Sequence, residues 1–139
     1  MSISDNKALV RRYYYEILEG RNVALIDEIF APDFLAHPPL GSASTLAGYK
    51  AALAMSHNAL VDVHVHIDDQ VGEEDKVVTR WHATGRHVGT FAGVPATGKT
   101  ATASAIHIHR ITEGKIAELW EQFDLFGLFT QIDSFPQRG

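Results

Sequence analysis

The sequence predicts an α+β fold in which N-terminal helices pack on a curved, mostly antiparallel sheet that encloses a pocket. Two observations carry this prediction. Apolar residues recur at three-to-four spacing in the first part of the chain and at every second position afterwards, so helices precede strands. The last two strands, read as a hairpin turning at Glu113 and Gly114, collect histidines, a tryptophan and small residues on one face, which is the composition of a lined cavity.

Asp5 or Ser4 caps the first helix, whose stripe of Leu9, Val10, Tyr13, Tyr14, Ile17 and Leu18 ends at Gly20. Asn22 caps a short second helix with Leu25, Ile26, Ile29 and Phe30 as its buried set, stopped by Ala31-Pro32-Asp33. Phe34 to His37 form an extended piece that Pro38-Pro39 interrupts. A third helix runs from Thr45 to about Asn58, with Leu46, Tyr49 and Leu53 on one side. Gly48 weakens it by about 1 kcal/mol relative to alanine.

The period then changes to two. Val61, Val63, Val65 and Ile67 alternate with Asp62, His64, His66 and Asp68, so the histidines of this strand are expected in solvent, as is His57 before it. Lys76–Thr84, Thr100–Ile111 and Lys115–Asp124 are the following strands of an antiparallel meander. Arg80 and Trp81 point to opposite faces of theirs, and sequence leaves open which is inside. The glycine-rich segment 85–99 is too long for a plain hairpin loop and reads as a flap or a pair of short strands. Its Gly93 to Lys99 stretch imitates a phosphate loop without the strand-loop-helix context that such a loop needs.

Hairpin register makes the sharpest prediction. With a two-residue turn, Ile111 faces Ile116, His109 faces Glu118, His107 faces Trp120, Ala105 faces Gln122 and Ala103 faces Asp124. The other face carries Ile106, Ile108, Leu119 and Phe123 with Arg110 and Glu121. That face is too apolar for free solvent, so a homodimer through the convex sheet face is expected.

Composition bounds the function. The 139 residues make one domain, and 45% apolar with 21% charged residues exclude disorder as the dominant state. A net charge of −5 with scattered lysines and arginines offers no footprint for nucleic acid or an anionic membrane. The chain has no cysteine, no signal-like start and no apolar run of membrane-spanning length, and is read as cytoplasmic. The expected partner is a small hydrophobic substrate. His107-x-His109-x-x-x-Glu113 mimics part of a metal-ligand motif, but Glu113 is the turn residue and points away from the face, so neither metal nor cofactor is expected.

Pro32-Asp33-Phe34-Leu35-Ala36-His37, the loop Gly93-Val94-Pro95-Ala96-Thr97-Gly98-Lys99 and the terminal segment from Glu113 through Trp120 and Asp124 to Leu128 resemble the SnoaL-like polyketide cyclases, or ester cyclases, of the nuclear transport factor 2-like superfamily. The resemblance runs from about residue 6 to about residue 132. It implies a cone-shaped α+β barrel with a cavity between sheet and helices, and usually dimers or tetramers. In the antibiotic cyclases of the family an aspartate near the end of the last strand is the base of an intramolecular aldol closure. The matching position here is Asp124, and Gln122 stands where a histidine is often found.

On this reading Asp124 takes a proton alpha to a carbonyl while His107 and Gln122 donate hydrogen bonds to the enolate oxygen. The structural alternatives are an N-cap role for Asp124 and a hydrogen bond from His107 to Trp120 or Glu118. Trp120, His37, Tyr14, Tyr49 and His109 complete the expected pocket, with His109 also fitting a structural pair with Glu118 and the tyrosine rings fitting the core. The role of His87, at the start of the flap, stays open. An epoxide or ester hydrolase using the same pocket and a non-catalytic small-molecule binder are the competing functions.

Overall fold

In the computed structural model, which describes residues 2–135, four helical segments pack on a six-stranded sheet. Ser2, rather than Ser4 or Asp5, caps α1 (Ile3–Arg12). Its hydroxyl accepts from the Asp5 N–H, and the Asp5 carboxylate accepts from the Ser2 N–H in return. The helix widens into a π-helical stretch over Tyr13–Glu19, which turns Tyr13, Tyr14 and Ile17 all into the core. Gly20 is required where this stretch ends, since a Cβ there would lie 2.8 Å from the Glu16 carbonyl oxygen and 3.0 Å from that of Tyr15.

A 3₁₀ turn (Val23–Leu25) leads into α2 (Ile26–Ile29), and Asn22 makes no side-chain cap. Strand β1 (Phe30–His37) begins earlier than predicted and contains Pro32, where its register against β6 is irregular. The short β2 (Ser44–Thr45) precedes α3 (Leu46–Ala59), capped by Thr45. Then follow β3 (Leu60–Glu73), β4 (Lys76–His87), β5 (Thr100–Thr112), β6 (Lys115–Phe123) and α4 (Leu125–Gln131).

The sheet order is β2-β1-β6-β5-β4-β3. All pairs are antiparallel except β1 with β6, which run parallel, so the meander is closed off by a strand from the helical half of the chain. The two edge strands do not pair, and the sheet wraps as an open cone around the aromatic cluster of Tyr13, Tyr14, Phe30, Phe34 and Tyr49. Among the described residues no helix is long and apolar enough to cross a membrane.

The predicted turn at Glu113-Gly114 is present, with φ of +51° and +74° as a type I′ turn needs, and Ile111 faces Ile116. One residue later the prediction fails. Ala117 is an extra residue, a β-bulge, so Arg110 faces Glu118, His109 faces Leu119, His107 faces Glu121 and Ala105 faces Phe123. A shift of one position exchanges the two faces of everything beyond it. Leu119, Glu121 and Phe123 therefore turn toward the helices, while Glu118, Trp120 and Gln122 turn outward.

Candidate active site

Between the concave sheet face, α3 and the loop after β4 lies a cavity of about 520 Å³, within the range of small-molecule sites. Leu53, Val65, Trp81, Ala103 and Phe123 form much of its wall. Its polar side chains include Glu121, His107, His57 and the hydroxyls of Tyr13 and Tyr49, which bond to each other, with Ser44, Ser56 and Thr84 also on the lining.

Glu121 is the group that sequence reasoning put on the wrong face. Its side chain is 22% exposed and its Oε1 lies 4.0 Å from His107 Nε2. Burial pushes its carboxyl up to about 7. Among the described residues no lysine or arginine pairs with it, so the group changes charge near neutrality, as a general base should. His107, 2% exposed, is bonded through Nδ1 to the Tyr14 hydroxyl at 2.9 Å, and burial and the neighbouring His109 hold its pKa well below the usual imidazole value. It faces Glu121 as a neutral ring.

The remaining predicted residues fall into two groups. Tyr49 lines the cavity, and Tyr14 lies directly behind His107. His109 is fully buried against the rings of Tyr13, Tyr14 and His107, with neither nitrogen partnered, and burial lowers its pKa to about 3. It is not paired with Glu118, because the bulge carries Glu118 to the other face. His37 and Trp120 also lie on that outer face, with parallel rings 5.3 Å apart, and His37 Nε2 reaches Glu118 at 2.6 Å. The hydrogen bond from His37, followed by that from Arg110, lowers the Glu118 pKa. Gln122 is exposed on the same face and does not meet the cavity.

Asp124 is exposed and caps α4, its Oδ1 accepting from the Gly127 N–H at 2.8 Å. The carboxylate sits so close that a Cβ on residue 127 would lie 2.2 Å from Oδ2, which explains the glycine there. The cap function was the alternative to the base function, and the geometry favours the cap. Asp124→Ala is expected to destabilise the protein by about 1 kcal/mol, read by thermal melting, and to leave turnover and its pH profile essentially intact.

The open alternatives are resolved by β4. Trp81 faces the cavity at 6% exposure, and Arg80 lies outside, bonded to Asp69 through two nitrogens. His87 is buried and bonds the Thr97 hydroxyl at 3.0 Å, pinning the base of the flap whose Phe91 reaches the cavity. His64 and His66 are exposed, as expected. His57 is instead half-buried at the cavity wall, with its pKa lowered first by burial and then by Arg21.

The sequence profile of the SnoaL-like polyketide cyclases matches residues 8–132. The chain belongs to this family. Proteins of known structure share its fold over nearly the whole length. TsrD from Streptomyces laurentii superposes with a TM-score of 0.85 at 26% identity, covering 97% of this chain and 99% of that one. A protein of Jannaschia sp. CCS1 assigned to the SnoaL-like polyketide cyclases superposes with a TM-score of 0.87 at 23% identity, covering 98% of this chain and 97% of its own, and shows the fold alone. Among relatives of named activity, the aklanonic acid methyl ester cyclase DnrD of Streptomyces peucetius is 42% identical over 48 residues, 34% of this chain. That match spans 33% of the length of DnrD.

Proposed function

We propose that this SnoaL-like chain is a cofactor-independent cyclase in which Glu121 removes a proton alpha to a carbonyl of a hydrophobic substrate, for intramolecular aldol closure. The observation that carries this is a carboxyl group inside the cavity, with no lysine or arginine paired to it among the described residues, whose pKa is pushed to about 7 beside a neutral histidine.

The enolate formed by loss of that proton attacks a second carbonyl of the same molecule. A C–C bond forms, and the proton returns to the new alkoxide, so substrate and product are isomers. His107 Nε2 and the free hydroxyl hydrogen of the Tyr13–Tyr49 pair are the donors that would meet the developing negative oxygen. The apolar wall excludes water that would otherwise quench the enolate. The aspartate expected from the family resemblance is replaced in this role by a glutamate three residues earlier, on the inward face.

Aklanonic acid methyl ester, the compound in the name of the relative DnrD, is the first substrate to try. Incubation in heavy water is expected to give a ring-closed isomer and to place deuterium at the carbon that loses its proton. Incorporation of oxygen from labelled water, with no ring closure, would replace this reading by a hydrolase. Binding with neither reaction would leave a small-molecule binder.

The homodimer proposal changes its residues. Leu119 is fully buried and Phe123 lines the cavity, so the outer sheet face presents Ile106, 49% exposed, with Ile108 and Trp120. Light scattering at micromolar concentration is expected to give twice the monomer mass, and Ile106→Glu to return it to the monomer.

A further inference from the structure

A file of polar side chains leads from the protein surface to His107, and each member constrains the next. Arg11 on α1 donates from its guanidinium to Gln70 Oε1 at 2.9 Å. An arginine has donors only, so the Gln70 amide must present its oxygen to it and its NH₂ elsewhere. That NH₂ donates to Thr79 Oγ1 at 3.1 Å. Thr79 is completely buried; burial raises the pKa of Tyr14 and the Thr79 hydroxyl lowers it, as a donor toward the phenol oxygen would. The Tyr14 oxygen, having accepted, has its own hydrogen left for His107 Nδ1, 2.9 Å away.

We propose that Arg11, Gln70, Thr79 and Tyr14 form a one-way hydrogen-bond chain that fixes neutral His107 in its Nε2–H tautomer, aiming a donor at the substrate oxygen beside Glu121. The inference deepens the proposed function by giving His107 a defined role there. Both ends agree on the direction. Arg11 can only donate at the outer end, and at the inner end Nε2 faces Glu121 Oε1 at 4.0 Å, an acceptor when ionised. That spacing is too long for a direct hydrogen bond, which leaves the Nε2 hydrogen for a ligand. The four residues ahead of His107 are positioning residues, and none of the outer three lines the cavity.

The tautomer is read without substrate, so its test is separate from that of ring closure. In two-bond proton–nitrogen spectra of the ¹⁵N-labelled full chain at pH 7, His107 is expected to show a pyrrole-like Nε2 and a pyridine-like Nδ1. Gln70→Glu is the decisive variant. A carboxylate at position 70 keeps Arg11 but accepts from Thr79, so Thr79 must then accept from Tyr14, and Tyr14 from His107. The whole chain reverses, and His107 is expected to move to the Nδ1–H form. Tyr14→Phe removes the link and is expected to collapse the two nitrogen signals toward intermediate, exchanging positions.

A wild-type Nδ1–H or doubly protonated ring, or a Gln70→Glu spectrum identical to wild type, would overturn the chain. Loss of the Nε2–H pattern in Gln70→Glu with ring closure unaffected would keep the chain and remove His107 from the chemistry. Failure of Glu121→Gln to lower turnover would instead strike the cyclase reading and leave the tautomer result standing.

Discussion

Glu121→Gln is expected to lower turnover by about 10²–10⁴-fold, the usual contribution of a positioned general base. Glutamine keeps the shape of the side chain and most of its contacts but cannot take up a proton. In the wild-type protein the rate is expected to rise about tenfold per pH unit below neutrality and level off above pH 7, because only the ionised carboxylate removes a proton and its pKa lies at about 7. The residual activity of the variant should lack that inflection.

Stability should move the other way. The folded-state pKa of Glu121 is raised, so the folded chain binds more protons than the unfolded one between the ordinary 4.5 and about 7. This group's contribution is therefore fully favourable below about 4.5 and is lost as pH rises through 7. Above pH 7 the ionised group costs on the order of 3 kcal/mol. At pH 8 the glutamine variant is expected to melt at a higher temperature than wild type while turning over far more slowly. A lower melting temperature together with lost activity would mean that Glu121 serves the fold rather than the reaction.

The second large effect lies in the β-bulge. Inserting one alanine after Ala117 would, with a single bulge kept, pair His109 with Glu118 and exchange the faces of all that follows, putting Trp120, Glu118 and Gln122 inside and Leu119, Glu121 and Phe123 outside. Leu119 is fully buried and Ile116 beside it equally so, and the core has no space prepared for an indole at position 120. The insertion is expected to abolish cooperative unfolding, followed by circular dichroism and near-ultraviolet spectra, whereas deleting Ala117 removes the bulge, leaves Leu119, Glu121 and Phe123 facing inward and is expected to keep a cooperative melt. Ala117→Gly keeps the residue count and is expected to melt cooperatively at a somewhat reduced temperature.

The first and third helices, the change of period, the I′ turn and the concave layer architecture were legible in the sequence, because each rests on local spacing, whereas α4 reads as a turn and Phe30 reads as part of the second helix although it opens β1. What was not legible was the face of β6, since a bulge has no strong residue signature. A trace of it exists. Ile116 and Leu119 are three residues apart, an odd separation that no regular strand can put on one face, and only an inserted residue lets both enter the core. Reading the strand from the turn alone gave the polar face a tryptophan, which seemed to demand a cavity. In fact Trp120 stacks on His37 outside. The family resemblance pointed to Asp124, which lies just past the strand, where its oxygen meets the Gly127 amide of a new helix.

The rings of Tyr13, Tyr14 and Tyr49 pack in the core, as the helix stripes predict. Tyr13 and Tyr14 sit on a helix whose stripe is visible, but their adjacent inward placement depends on the π-helical widening, which no spacing rule announces. The parallel pairing of β1 with β6 was equally hidden, being a long-range contact between residues about eighty positions apart.

The division of the cavity wall has an evolutionary consequence. Glu121 and His107 stand on neighbouring central strands, held from both sides by the ladder, whereas Leu53, His57 and Phe91 come from one helix and one loop. Substitutions in the latter can recontour the chamber for a differently shaped molecule without disturbing Glu121 and His107. Descendants of such a scaffold can diversify their chemistry's clientele while inheriting its engine unchanged.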